Sequence, residues 1–269
     1  MIDPETVASF IRETARSVIL PRFRALKREE ISEKGPGDFV TIADIEAERR
    51  LSALLTEAQP GSAVLGEEGA AKDPTLMRLA GGAQPLWIID PVDGTNNFAH
   101  GQPGFAMILA YVEEGAVHGG WLYDPLGERM AWAVLGEGAW SNGTRLKTAI
   151  PPGRISGSAY GKTFSGERAA KALSRSGHVA GIRNQNCSGL EYLSIALGET
   201  HFALHSRSLP WDHAAGMLIT SESSGKACFL DGGAYDPGVF DRAVLAASGG
   251  EAWRIVHEIV TSAAEHRPA

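Results

Sequence analysis

Leu86-Trp87-Ile88-Ile89-Asp90-Pro91-Val92-Asp93-Gly94-Thr95-Asn96-Asn97-Phe98 is the stretch on which the reading of this chain turns. Its apolar opening, Leu86 to Ile89, has the form of a buried strand. The run is expected to stop at Asp90-Pro91, because proline lacks an N–H and restricts the residue before it. Asp93-Gly94-Thr95 follows, and glycine permits backbone angles that other residues resist. A strand thus delivers two carboxylates to its C-terminal lip, with a hydroxyl just beyond them. Backbone N–H groups at such a turn suit an anion, and paired carboxylates suit a hard cation. The expectation is a metal and a phosphate side by side.

Two other readings fit the same residues. Asp90 and Asp93 are good turn formers, and Thr95 is a good helix cap. Phosphatases that form an aspartyl-phosphate place two Asp residues at a strand end with one residue between them. Here Pro91 and Val92 both intervene, so the register does not match.

The chain has 269 residues, enough for one large or two medium domains. With 43 % hydrophobic and 21 % charged residues it reads as an ordinary soluble globular protein. No apolar run approaches the roughly 20 residues of a membrane span. The acidic start, Met1-Ile2-Asp3-Pro4-Glu5, lacks the apolar core of a signal peptide. Cys187 and Cys228 make no disulfide framework, so a reduced, cytoplasmic protein is expected. The net charge of −7 argues against a general nucleic-acid surface.

Working outward, residues 4–27 carry an amphipathic helical pattern, with Pro21 set to kink or end it. Lys27 to Gly37 is charged and then glycine-rich, which predicts a loop. A second helix is expected over about 44–58. Thr41 and Asp44 before it have capping-box spacing, so Asp44 is either a cap or a site residue. Ala63-Val64-Leu65-Gly66 reads as a short strand ending in Glu67-Glu68, which is either a solvated turn or a second ligand source. Residues 70–84 are small and glycine-rich and predict little order. Beyond Phe98, strand-like runs at 106–112, 117–123, 129–134 and 139–141 alternate with glycine turns, an antiparallel meander.

Near Pro151-Pro152-Gly153 the pattern changes to alternating strands and helices, which predicts a second, α/β half. The expected division is therefore 1–150 and 151–269. In the second part, Leu209-Pro210-Trp211-Asp212-His213-Ala214-Ala215-Gly216 puts Asp212 at a helix start, as an N-cap or as a ligand. Ala214, Ala215 and Gly216 allow that helix a very close neighbour. His201 and His205 have the spacing of a zinc pair on a helix, but they alternate with Phe202 and Leu204, which predicts strand.

Taken together, Asp90 to Phe98 and Trp211 to Gly216, supported by Val40 to Asp44 and Gly66-Glu67-Glu68, resemble the inositol monophosphatase family of magnesium-dependent phosphatases. The match in order and separation runs over about residues 35–250. The resemblance implies a layered αβαβα sandwich of the sugar-phosphatase type, usually a homodimer, with its site between two halves. It implies metal ligation by Glu67, Asp90, Asp93, Asp212 and the Val92 carbonyl. Asp44 would help hold a third ion through water, and Thr95 would work with Glu67 on the attacking water. The amides of Gly94 and Thr95 would hold the phosphate. An all-oxygen set of this kind favours two or three Mg²⁺, or Mn²⁺, over zinc. The implied reaction is hydrolysis of a small phosphate monoester by metal-activated water, on inositol monophosphate or a related sugar or polyol phosphate.

Many family members carry an acid that touches the sugar hydroxyls at the place of His205, and another acid at the place of His201; this chain has histidine at both. Arg183, Ser188 and His205 are the candidate substrate wall, beside Asp93 and Asp212. Histidinol phosphate, fructose 1,6-bisphosphate and nucleotide phosphates stay open as substrates, as does a non-catalytic binding role for the fold.

Overall fold

The structure is a computed structural model and describes residues 1–148, 153–160 and 164–265. The division expected near residue 150 falls outside the described residues.

The helices are α1 (Pro4–Thr14), α2 (Ile42–Ala58), α3 (Glu67–Lys72), α4 (Thr95–Ala99), α5 (Phe164–Arg175), α6 (Ser188–Ala196), α7 (Pro210–Glu222) and α8 (Gly250–Glu265). The first strands are β1 (Ile31–Gly35), β2 (Asp38–Thr41), β3 (Ala63–Gly66), β4 (Leu86–Asp93) and β5 (Ala106–Glu113). They are followed by β6 (Ala116–Asp124), β7 (Arg129–Val134), β8 (Gly138–Ser141) and β9 (Thr144–Arg145). The last five are β10 (Ile155–Tyr160), β11 (Val179–Ile182), β12 (Phe202–His205), β13 (Lys226–Phe229) and β14 (Val244–Ala247).

A seven-stranded sheet runs β3-β4-β5-β6-β7-β8-β9, and a five-stranded sheet runs β11-β10-β12-β14-β13. Apart from the parallel β3–β4 pair, the large sheet is the expected meander. The sheets lie in layers. One face of the large sheet, with Trp87, Ile89, Tyr111 and Trp121, packs on Val7, Ile11, Leu51 and Leu55 of α1 and α2. The other face, with Ile88, Ile108 and Leu122, packs on Leu193, Ala215 and Ile219 of α6 and α7. Ala203, Phe229 and Ala246 of the small sheet close that layer from the far side. Phe202, Leu204 and Leu245 then meet Leu173, Trp253 and Val256 of α5 and α8. This is the αβαβα order. It explains why the first half of β4, Leu86 to Ile89, is apolar without alternation, since both its faces are buried.

Close contact at the central layer depends on small residues. A Cβ on Gly120 of β6 would stand 2.9 Å from the Ala215 backbone, and one on Gly216 would stand 2.2 Å from the Tyr192 ring. The small residues at the head of α7 are thus explained by packing alone.

Several expectations need correction. The first helix ends at Thr14, and a π-turn over Ala15–Ile19 and a 3₁₀ turn over Leu20–Arg22, which contains Pro21, follow it. Lys27 to Gly37 is not a plain loop, because β1 and β2 pair as a hairpin around Pro36-Gly37. The strand is exposed along most of its length, so no hydrophobic period marked it. The 70–84 stretch holds the end of α3 and a 3₁₀ segment, Pro74–Gly81.

β4 does not stop at Asp90-Pro91 but continues to Asp93. Pro91 is accommodated because the ladder to β5 shifts there: Asp90 pairs with Ile108 and Asp93 with Ala106. Two residues of β4, Pro91 and Val92, thus stand against Met107 alone, which is a bulge. Residues three apart on a regular strand point to opposite faces. The extra residue restores parity, and both carboxylates point into the layer between the sheets.

Candidate active site

Each acid reaches the site by a different local device. Asp90 and Asp93 arrive through the bulge in β4. Asp212 lies in the first turn of α7, where Leu209 takes the cap position and Pro210 starts the helix. The N-cap reading of Asp212 therefore fails, and its carboxylate is left to face the β4 pair. One oxygen from each of Asp90, Asp93 and Asp212 lies within 4.8 Å of the others. The ligand-set residues sought by sequence from two distant stretches are in one place.

Asp44 is a cap, and it also reaches Thr95. It accepts a hydrogen bond from the Thr41 N–H at 2.9 Å, as a capping box requires. Its other oxygen lies 3.1 Å from the Thr95 hydroxyl. That hydroxyl also stands 2.9 Å from the Val92 carbonyl, so its one proton serves one acceptor at a time. Thr95 is not a cap either, since Gly94 occupies that position with φ at +87°. A Cβ on Gly94 would come within 2.5 Å of the Gly104 carbonyl, so only glycine fits this turn.

Glu67 follows β3, at the start of α3. Glu48 of α2 accepts the N–H groups of Glu68 and Gly69 at 2.8 and 2.9 Å and fixes that turn. Lys34 of the β1–β2 hairpin donates to Glu67 at 2.8 Å and to Glu68 at 3.1 Å. Glu48 and Lys34 were missed by sequence reasoning, as neither sits in a motif.

The electrostatics are those of crowded, buried acids. Burial raises the Asp90 carboxyl well above its ordinary range, and Glu67, Asp93, Asp212 and Asp44 push it further. Asp212 is raised by burial and then by Asp93 and Glu67, while Arg207 pulls the other way. Burial also raises Asp93, although the Gly189 N–H at 2.6 Å and the Ser188 hydroxyl at 3.1 Å favour its charged form. Asp44 is lifted by burial to about 6. Burial opposes the charge on Lys34, but Glu67 and Glu68 outweigh it and hold the ammonium charged.

A cavity of about 650 Å³ opens beside these acids, and Glu67, Asp93, Asp212, Ser188 and His205 are in its lining. The Ser188 hydroxyl is committed to Asp93. His205 is buried, and burial lowers it to about 4. Its Nε2 stands 3.3 Å from Glu191, a second buried residue of the wall that sequence reasoning missed. Arg183 is exposed and is not among the lining residues, whereas Arg207, unremarked in the sequence, is. His201 accepts the Ser156 N–H at 3.0 Å from its place just before β12, which excludes the zinc-helix geometry.

The profile of the inositol monophosphatase family matches residues 3–267, almost the whole chain. The chain belongs to the inositol monophosphatase family. An inositol-1-monophosphatase of Caulobacter vibrioides is 34 % identical over 223 residues, covering 77 % of this chain and 82 % of that protein. A Nus factor, SuhB, of Pseudomonas aeruginosa is 33 % identical over 217 residues, covering 76 % and 78 %. Among solved structures, an IMPase of Thermotoga maritima superposes with a TM-score of 0.84 at 26 % identity and 97 % coverage of both chains.

As an inositol monophosphatase family protein, the chain is a phosphoric monoester hydrolase. Metal dependence is general in the family. The residues present fit a metal on their own chemistry: three carboxylates converge, two buried and Asp212 half-buried, and no cationic side chain makes an ion pair with any of them among the described residues. No helix among the described residues is long and apolar enough to cross a membrane.

Proposed function

We propose that this enzyme hydrolyses a small sugar or polyol phosphate monoester, inositol monophosphate being the reference compound, and that it depends on Mg²⁺. The convergence of Asp90, Asp93 and Asp212 to within 4.8 Å beside an open cavity carries the proposal. These three, with Glu67 and the Val92 carbonyl, would hold the ions, two or three in number, with Mn²⁺ as a substitute. Bound there, Mg²⁺ supplies charge neutralisation at the phosphoryl oxygens and lowers the pKa of a nearby water.

The chain's own residues do the rest. Water oxygen forms the new bond to phosphorus as the ester P–O bond breaks, so the attacking and leaving oxygens must be in line. Thr95, held between Asp44 and the Val92 carbonyl, orients the attacking water with Glu67. The amides of Gly94 and Thr95 receive the phosphate. No side chain forms a covalent intermediate: the Cys187 thiol is buried, held against Asp93 and raised far above its ordinary pKa, hence a poor nucleophile. Asp93 is bonded to three donors from residues 187–189 and is a fixed ligand rather than a free attacking group.

The relationship to a Nus factor raises a second, non-catalytic role. The complete acid set supports catalysis as the primary one. A homodimer in the cytoplasm is the setting we infer for it. A panel of phosphate monoesters assayed with and without Mg²⁺ tests the reading. Phosphate release that requires Mg²⁺ and is inhibited by Li⁺ is the expected result. Release that persists in EDTA, or a trapped aspartyl-phosphate, would overturn it.

A further inference from the structure

The cavity is lined by charges of both signs. Carboxylates of Glu67, Asp93 and Asp212 are among them. Its lining also carries Arg207, on the short connection between β12 and α7. That connection is pinned: the Ser208 N–H donates to the Phe240 carbonyl at 3.1 Å and its hydroxyl to the Val239 carbonyl at 2.7 Å. Of the two cationic side chains in the lining, Lys34 is committed to Glu67 and Glu68. Arg207 is exposed and makes no ion pair with any described residue. It is near enough for its charge to act on Asp212.

In the remaining wall, Asn184, Asn186 and Ser206 can meet the hydroxyls of a polyol, while the two buried polar groups there are already engaged. Glu191, the buried acid there, accepts the Gln185 N–H at 3.1 Å, and its other oxygen faces His205 Nε2 at 3.3 Å. The Ser188 hydroxyl is directed to Asp93 at 3.1 Å. A cavity of about 650 Å³ is far larger than one phosphate group.

We propose that Arg207 is a specificity-determining residue that receives a second anionic group of the substrate, a phosphate or a carboxylate, while the ester phosphate lies at the acid cluster. This rests on the phosphatase reading above and narrows its substrate class to doubly anionic sugar or polyol esters. A guanidinium suits the task because its planar fork pairs with either anion through two parallel N–H donors. A singly phosphorylated, otherwise neutral ester would leave that fork to water.

Two matched pairs test it: fructose 1,6-bisphosphate against fructose 1-phosphate, and 3-phosphoglycerate against glycerol 3-phosphate. The readout is the ratio of kcat/KM within each pair, for the native enzyme, Arg207→Gln and Arg207→Lys, with Mg²⁺ present. In the native enzyme at least one doubly anionic ester is preferred, and which pair shows it tells phosphate from carboxylate. Arg207→Gln should lower that ratio roughly tenfold, mainly through KM, and Arg207→Lys should recover part of it. A ratio equal in native enzyme and Arg207→Gln, or a native preference for the singly charged esters, overturns the proposal and leaves the phosphatase reading intact. Release of phosphate from inositol monophosphate but from none of the four overturns this proposal alone, and release from none of the five overturns both.

Discussion

Asp90→Asn is expected to reduce Mg²⁺-dependent phosphate release by about a thousandfold, which corresponds to about 4 kcal/mol of lost transition-state stabilisation. Asp90 lies at the bulge of β4, and one of its oxygens is within 4.8 Å of Asp93 and Asp212 oxygens. Asparagine has the same shape but no charge, and its amide NH₂ is no ligand for a hard cation. The bulge and the surrounding core should persist, because Asp90 Oδ1 makes only a local bond to the Val92 N–H at 3.1 Å, which an asparagine oxygen can keep. A folded, monodisperse variant with near-native turnover at saturating Mg²⁺ would remove Asp90 from the site.

Metal removal should reverse the usual dependence of a protein's stability on acidity. Burial raises Asp90, Asp93 and Asp212, and each of these carboxylates adds to the repulsion. Asp44, buried with them, is lifted to about 6. Such groups bind protons more tightly folded than unfolded. Their stability contribution is therefore complete below the unfolded pKa, near 4, and is lost as pH rises through the folded value. For Asp44 alone the shift to about 6 corresponds to about 3 kcal/mol.

The metal-free enzyme should thus melt at a lower temperature at pH 8 than at pH 5. Saturating Mg²⁺ should raise Tm at pH 8 by about 5–10 °C, since a ligand at 100 times its Kd adds about 2.7 kcal/mol. At pH 5 the increase should shrink, because protons compete for the same oxygens. Calorimetric scans with EDTA and with Mg²⁺ at the two pH values decide this. A metal effect larger at pH 5, or a metal-free protein more stable at pH 8, would contradict it.

What the sequence disclosed, and what it hid, follows from how each residue is held. The buried elements were legible because burial leaves a pattern: β4 opens as a continuous apolar run, Leu86 to Ile89, and the strands and helices of the small sheet alternate as expected. The acids of the candidate site were legible because they sit in compact motifs with turn chemistry around them. The bulge at Pro91 was not, since a proline in a strand reads as its end until the partner strand is known. Lys34 and Arg207 stayed hidden for a different reason. Both are single cations on exposed segments, and only the folded chain shows that one lies on Glu67 and the other in the cavity wall. Arg183 shows the converse: a plausible motif position whose side chain the fold turns outward.

The most direct measurement is anomalous diffraction from crystals of the enzyme soaked in Mn²⁺. The account predicts at least one peak about 2.0–2.4 Å from oxygens of Asp90, Asp93 and Asp212, the range of hard-cation ligation, and its loss in Asp90→Asn. Peaks confined to other sites, or none at saturating Mn²⁺, would contradict it.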